Sequence, residues 1–125
     1  MIALTSQDII NLSNLIVEYT GGGSGVRELG LIESATQAIL QTFGGIELYP
    51  TLEEKGAKLG FLLISNHAFL DGNKRVGLLA MLTFLKINKI ELKYTDLELI
   101  ELGWGVASGK FSYEHMLCFV NSHKI

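Results

Sequence analysis

Apolar residues recur at helical spacing through most of the chain and crowd together in two places, Leu59–Ile64 and Val76–Leu85. Before them, Ile9, Leu12, Leu15, Ile16 and Tyr19 keep to the three-to-four spacing of one helical face, behind Thr5 or Ser6 as the capping residue. That helix stops at Thr20-Gly21-Gly22-Gly23-Ser24-Gly25, which has neither GxxxxGK[ST] nor GxGxxG after a strand and reads as a flexible helix connection. Arg27-Glu28-Leu29-Gly30 leads to a second helix with Leu31, Ile32, Ala35, Ala38 and Ile39 on its buried side. Phe43-Gly44-Gly45-Ile46-Glu47-Leu48-Tyr49-Pro50 then breaks the pattern. Its paired glycines and alternating Ile46 and Leu48 fit a short flap or β-hairpin whose edge a visiting peptide could join, although taken alone they fit an ordinary loop slightly better.

Thr51-Leu52-Glu53-Glu54 has the form of a capping box and predicts a helix from about Leu52 to about Ser65. The next helix starts near Asn73 and ends near Asn88, and Ile90-Glu91-Leu92-Lys93-Tyr94 alternates like a short strand or extended edge. Thr95-Asp96-Leu97-Glu98 repeats the capping box before a helix through Leu97, Ile100, Leu102 and Val106 that frays at Gly109. A last helix from about Ser112 carries Tyr113, Met116, Leu117 and Val120. The pattern predicts an all-α fold of about six helices with almost no strand. Its 125 residues fit a single domain, 1–125, with one core.

Composition narrows this picture. Apolar residues make up 48% of the chain, yet the longest apolar run, Val76–Leu85, contains Thr83 and is followed by Lys86. A bilayer span needs about 20 apolar residues, so a buried helix is expected and no membrane association. No secretion signal is visible at Met1–Asp8. The single cysteine, Cys118, cannot form an internal disulfide, which points to a reducing cytoplasm; between Leu117 and Phe119 it reads as a small buried hydrophobe. Thirteen acidic and ten basic residues give a net charge of −3 with no Lys/Arg stripe, which argues against nucleic acid as a direct partner. The high apolar fraction leaves room for an exposed surface that takes a protein partner.

The candidate chemistry lies between the two crowded segments, in Asn66-His67-Ala68-Phe69-Leu70-Asp71-Gly72-Asn73-Lys74-Arg75. Lys74 and Arg75 fall in the first turn of a helix, where the dipole disfavours cations by about 0.3–1 kcal/mol. An anion held among the free N–H groups and both side chains explains the placement, and phosphate is the obvious candidate. Gly72 would let the backbone approach it, and the Arg75 guanidinium can grip two of its oxygens. The bland alternative has Asp71 and neighbouring helix ends neutralise the cations. Nucleotide phosphates normally arrive with Mg2+, for which Asp71 is the one carboxylate in the stretch. His67 is the one side chain there suited to general base catalysis near neutral pH, whereas His115 and His123 read as structural. Phe69 is the expected core anchor of the loop. No serine or cysteine nucleophile accompanies His67, so direct transfer of a phosphate-containing group to a hydroxyl fits better than acyl transfer.

The stretch His67–Arg75 closely resembles the HxFx[D/N][A/G]NKR signature of Doc (death-on-curing) toxins of the Fic superfamily. Gly30–Ala35, Phe43–Pro50 and Val106–Gly109 look like Doc segments in the same order, so the resemblance covers essentially the whole chain. It implies an all-α Fic/Doc-like helical fold in which the histidine matching His67 deprotonates a target hydroxyl. Asp71 would bind Mg2+, and Gly72, Asn73 and Arg75 would hold phosphates. The flap residues Gly45, Ile46, Glu47 and Leu48 would dock a target peptide. Most Fic enzymes carry HPFx[D/E]GNGR and transfer AMP. Doc proteins place a lysine, here Lys74, at the second glycine, a change associated with a reversed nucleotide and transfer of the γ-phosphate of ATP.

The implied target is elongation factor Tu and the implied partner a Phd-like antitoxin whose disordered tail folds onto the toxin. Ala68 stands where Fic enzymes have proline, at a position that varies among Doc members. Ser24-Gly25-Val26-Arg27-Glu28-Leu29 matches the first five positions of the inhibitory [S/T]xxxE[G/N] helix but ends in leucine, and reads as a chance match. The expectation is thus a cytoplasmic toxin-type kinase using ATP and Mg2+. AMP transfer and a non-catalytic binding module on the same fold are the alternatives.

Overall fold

The computed structural model describes residues 1–21 and 25–125. Half of the glycine connector, and the first residue of the inhibitory-helix match, fall at 22–24 outside the described residues. Six helices and one small sheet form among those described: α1 Ser6–Thr20, α2 Leu29–Ala38, α3 Leu52–Ser65, α4 Asn73–Ile87, α5 Asp96–Ala107 and α6 Tyr113–His123, with β1 Thr42–Phe43 pairing antiparallel with β2 Ile46–Glu47. The all-α expectation holds. No helix among the described residues is long and apolar enough to cross a membrane.

Helix α3 is the centre of the molecule. It packs against α4 above all and also against α2, α5 and α6. Its start is fixed by the predicted box, Thr51 Oγ1 accepting from Glu54 N and Glu54 answering at Thr51 N. Lys55, Gly56, Ala57, Leu59, Gly60, Leu63 and Ile64 are all buried, and so are seven residues of α4. Glycine lets these two helices touch. A Cβ at Gly77 would lie 2.5 Å from Ile64 Cγ1 and 3.0 Å from Gly60 O, and one at Gly56 2.8 Å from Leu85 Cδ2.

The 43–50 stretch is a hairpin rather than the plain loop its residues slightly favoured. Gly44 and Gly45 take φ of 59° and 82°, the left-handed pair that a two-residue hairpin turn requires. Both strands are exposed, and the buried Lys55 ammonium ties them to α3 through Glu47 Oε1 at 3.0 Å and through the carbonyl oxygen of Tyr49.

Four other expectations are corrected. Leu97 and Ile100 are exposed, and the buried side of α5 is Leu102, Gly103, Gly105 and Val106. Glycine decides that face, because a Cβ at Gly105 would lie 2.0 Å from the Phe111 ring and one at Gly103 3.0 Å from Leu78 Cδ1. Cys118 is exposed, since flanking apolar residues on a helix point in different directions from it. Leu15 and Tyr19, on the predicted apolar face of α1, are also exposed. The Ile90–Tyr94 segment makes one bridge, Leu92 to Lys124, instead of a strand.

Candidate active site

The loop between α3 and α4 is built by its own side chains. Asn66 closes α3, its Oδ1 accepting from Ala68 N at 3.1 Å while its Nδ2 donates to Leu31 O of α2 at 3.1 Å. His67 follows with φ of 53°, a left-handed conformation that costs a non-glycine residue about 1–2 kcal/mol. Phe69 is 3% exposed and belongs to the buried core. Asn73 clamps that turn from both sides: its Oδ1 accepts from Phe69 N at 3.0 Å and its Nδ2 donates to Phe69 O at 3.0 Å. The Asn73 side chain is thereby tied to the loop, with its backbone N–H in the first turn of α4.

A second segment, distant in sequence, braces the loop. Ala68 O accepts from both Arg27 N (2.8 Å) and Glu28 N (3.0 Å), Leu70 N donates to Gly25 O at 3.1 Å, and Val26 bridges Phe69. The Arg27 guanidinium adds Nε to His67 O at 2.7 Å and a longer 3.4 Å contact from Nη2 to Asn66 O. Nothing in local sequence pattern singles out Arg27, which reads there only as a lead-in to α2.

Gly72 caps α4 with φ of 78°, and no side chain caps the helix. A Cβ at Gly72 would meet nothing within 4 Å, so its conformation and not crowding calls for glycine, and the space before the helix is open. Asp71, Gly72, Lys74 and Arg75 line a cleft of about 440 Å³ together with Leu78, Ile100, Gly103 and Trp104. Neither Lys74 nor Arg75 has an acidic partner within 4.0 Å among the described residues, so Asp71 forms no ion pair with either. The Lys74 ammonium sits 4.6 Å from the centre of the Trp104 ring, a contact the sequence pattern did not announce.

His67 and the flap residues Gly45, Ile46, Glu47 and Leu48 do not line that cleft. The His67 side chain is exposed and its ring makes no hydrogen bond among the described residues. Asp71 Oδ1 accepts from Gly72 N at 2.8 Å, and the residue lines the cleft. No three His, Cys, Asp or Glu among the described residues gather to hold a metal alone. That donor set suits Mg2+ delivered with a polyphosphate, where one carboxylate and several waters complete the coordination.

Comparison with known proteins identifies the family. The Fic/DOC family model matches residues 3–85, which include the loop and its brace. The protein named Toxin Doc from Mycolicibacterium smegmatis is 37% identical over 89 residues, 71% of this chain and 66% of that protein, so the match spans just under two thirds of the relative's length. On the family match over most of its length, the chain belongs to the Fic/DOC family.

Proposed function

We propose that this protein is a Doc-type toxin, the toxic half of a toxin–antitoxin pair, that transfers the γ-phosphate of ATP to a hydroxyl of a protein target in the cytoplasm. Elongation factor Tu is the proposed target, arrest of translation the proposed outcome, and a Phd-like antitoxin the proposed restraint. The observation that carries the reading is the pair Lys74 and Arg75. They stand at a helix start that no side chain caps, beside an open cleft, with no acid within ion-pairing distance among the described residues. An anion with several oxygens satisfies that combination of free N–H groups, dipole and cations.

In the proposed reaction His67 takes the proton from the target hydroxyl, whose oxygen forms a bond to the γ-phosphorus as the bond to the β–γ bridging oxygen breaks, giving ADP and the phosphorylated target. Arg75, Lys74 and the first N–H groups of α4 hold the phosphate oxygens and the charge that spreads over them. Mg2+, when bound, adds further charge neutralisation, with Asp71 as its ligand. Exposure of the whole hairpin supports its proposed use in docking the target.

The test is incubation with γ-labelled and, separately, α-labelled ATP in the presence of Mg2+ and elongation factor Tu. Label reaching the factor from the γ position is the expected result; label from the α position alone would replace the kinase with an AMP transferase. His67→Ala is expected to lower turnover about 100- to 10,000-fold, the usual worth of a general base. Growth arrest undiminished in that variant would mark a binding module instead.

A further inference from the structure

We propose that Arg27 is a positioning residue for His67, a role that rests on the reading of His67 as the base. Its guanidinium is the one side chain among the described residues that bonds the His67 backbone, through Nε to the carbonyl at 2.7 Å. The bond matters because of where it falls. His67 holds φ of 53°, a conformation that an unbraced histidine leaves for ordinary negative φ. The imidazole itself has no hydrogen-bond partner among the described residues, so nothing on the ring fixes its direction. The direction of its Cα–Cβ bond, set by the backbone, is what aims it.

Three further contacts make the brace specific to this residue. The backbone N–H of Arg27 and that of Glu28 both end on Ala68 O, and Gly25 O takes the Leu70 N–H, so residues 25–28 lie along 67–70. Ala68 on one side of His67 is thereby pinned by backbone and Asn66 on the other by its own side chain and by Arg27 Nη2 at 3.4 Å. Arg27 spans the remaining gap, the carbonyl of His67 itself. Its side chain is about half exposed and its nearest acid, Glu28, is 3.9 Å away, so neither burial nor a close ion pair accounts for its position.

The deciding measurement is the ring spectrum of histidine-labelled protein by NMR, with the three imidazoles assigned through His67→Ala and its His115 and His123 counterparts. Arg27→Ala is expected to shift and broaden the His67 ring signals while those of His115 and His123 stay in place. An unmoved His67 signal overturns the proposal, and movement of all three marks a general loosening and also overturns it. Arg27→Lys, which keeps a donor without the fork, is expected to fall between and stands in if the alanine variant does not fold.

Kinetics supply the second arm. With labelled ATP, Mg2+ and elongation factor Tu, Arg27→Ala is expected to lower kcat about 10- to 100-fold with little change in KM for ATP, the scale of a catalytic group displaced by about 1 Å. In the His67→Ala background the same change is expected to cost nothing further, since a base that is gone cannot be misaimed. An equal loss in both backgrounds overturns the proposal. Full activity in His67→Ala alone removes the base reading, and the NMR arm then still reports whether Arg27 sets the ring.

Discussion

The Lys74 ammonium lies 4.6 Å from the centre of the Trp104 ring, so one cation of the candidate phosphate cradle is held by the neighbouring helix α5. Such a contact is worth about 0.5–1 kcal/mol at an exposed site and spares a flexible stem part of its search for a single rotamer. Trp104→Ala is expected to weaken Mg2+–ATP binding about two- to fivefold, with Trp104→Phe in between, read by titration calorimetry. Tighter binding in the alanine variant would mean that the ring competes with phosphate for the ammonium.

Lys55 is buried and bonds Glu47 and the Tyr49 carbonyl, whereas Glu47 itself is about half exposed and can return to water. Lys55→Met, which keeps length and apolar bulk, is therefore expected to cost only about 1 kcal/mol of global stability. Locally the hairpin loses its tie to α3. Amide exchange at 42–48 is expected to quicken while that of α3 and α4 stays slow. Unchanged exchange in the hairpin would show that the two glycines and the strand pairing hold it alone.

Gly77→Ala forces a methyl to within 2.5 Å of Ile64 Cγ1 and 3.1 Å of the Ile64 nitrogen. Backbone cannot step aside as a side-chain tip can, so α3 and α4 must part, at a cost of about 1–3 kcal/mol or more. The urea midpoint is expected to fall with the slope unchanged. Gly30→Ala is the control: nothing lies within 4 Å of its would-be Cβ, and a gain of about 0.4–1 kcal/mol is expected there.

The Glu98 carboxylate accepts from His123 Nε2 at 2.7 Å, joining α5 to the end of α6. That bond, helped by Thr95, pulls Glu98 down from 4.5 to about 2, and Glu98 in turn raises His123 above 6.5. The lowered acid contributes stability above 4.5 that is lost as pH falls toward 2. The raised imidazole contributes stability below 6.5 that is lost as pH climbs through its folded value. The Tm difference between the parent chain and Glu98→Gln, which keeps the capping box, is expected to be widest between pH 4.5 and 6.5 and to shrink on either side. A difference independent of pH would assign the effect to packing.

Local patterns carried much of this architecture. The boxes at Thr51 and Thr95 start α3 and α5 where the sequence places them, and Gly72 marks the start of α4. A capping residue acts over three positions, which is why it can be read from a window of the chain. The hairpin was half legible, since the Gly44-Gly45 pair names the turn while two-residue strands leave almost no alternation to count. What stayed hidden depends on partners far away. Arg27 meets His67 across forty positions. The buried face of α5 is set by Phe111 and Leu78 filling the places of absent side chains at Gly105 and Gly103, and hydrophobic periodicity gives glycine no weight. Cys118 faces solvent on a turn of α6 whose neighbours are apolar, a reminder that adjacency in a helix is not shared orientation.

The clamp of Asn73 on both polar groups of Phe69 also bears on how a ligand arrives. A loop tied at Asn66, Ala68, Phe69 and Leu70 gives up its conformational freedom when the chain folds, at about 1–2 kcal/mol for each residue fixed. On the proposed reading, a nucleotide entering the cleft would have no loop to order and would wait on no rearrangement of it. Its rate of capture would follow diffusion and the charge of Lys74 and Arg75 at the mouth, and is expected to slow as added salt screens them.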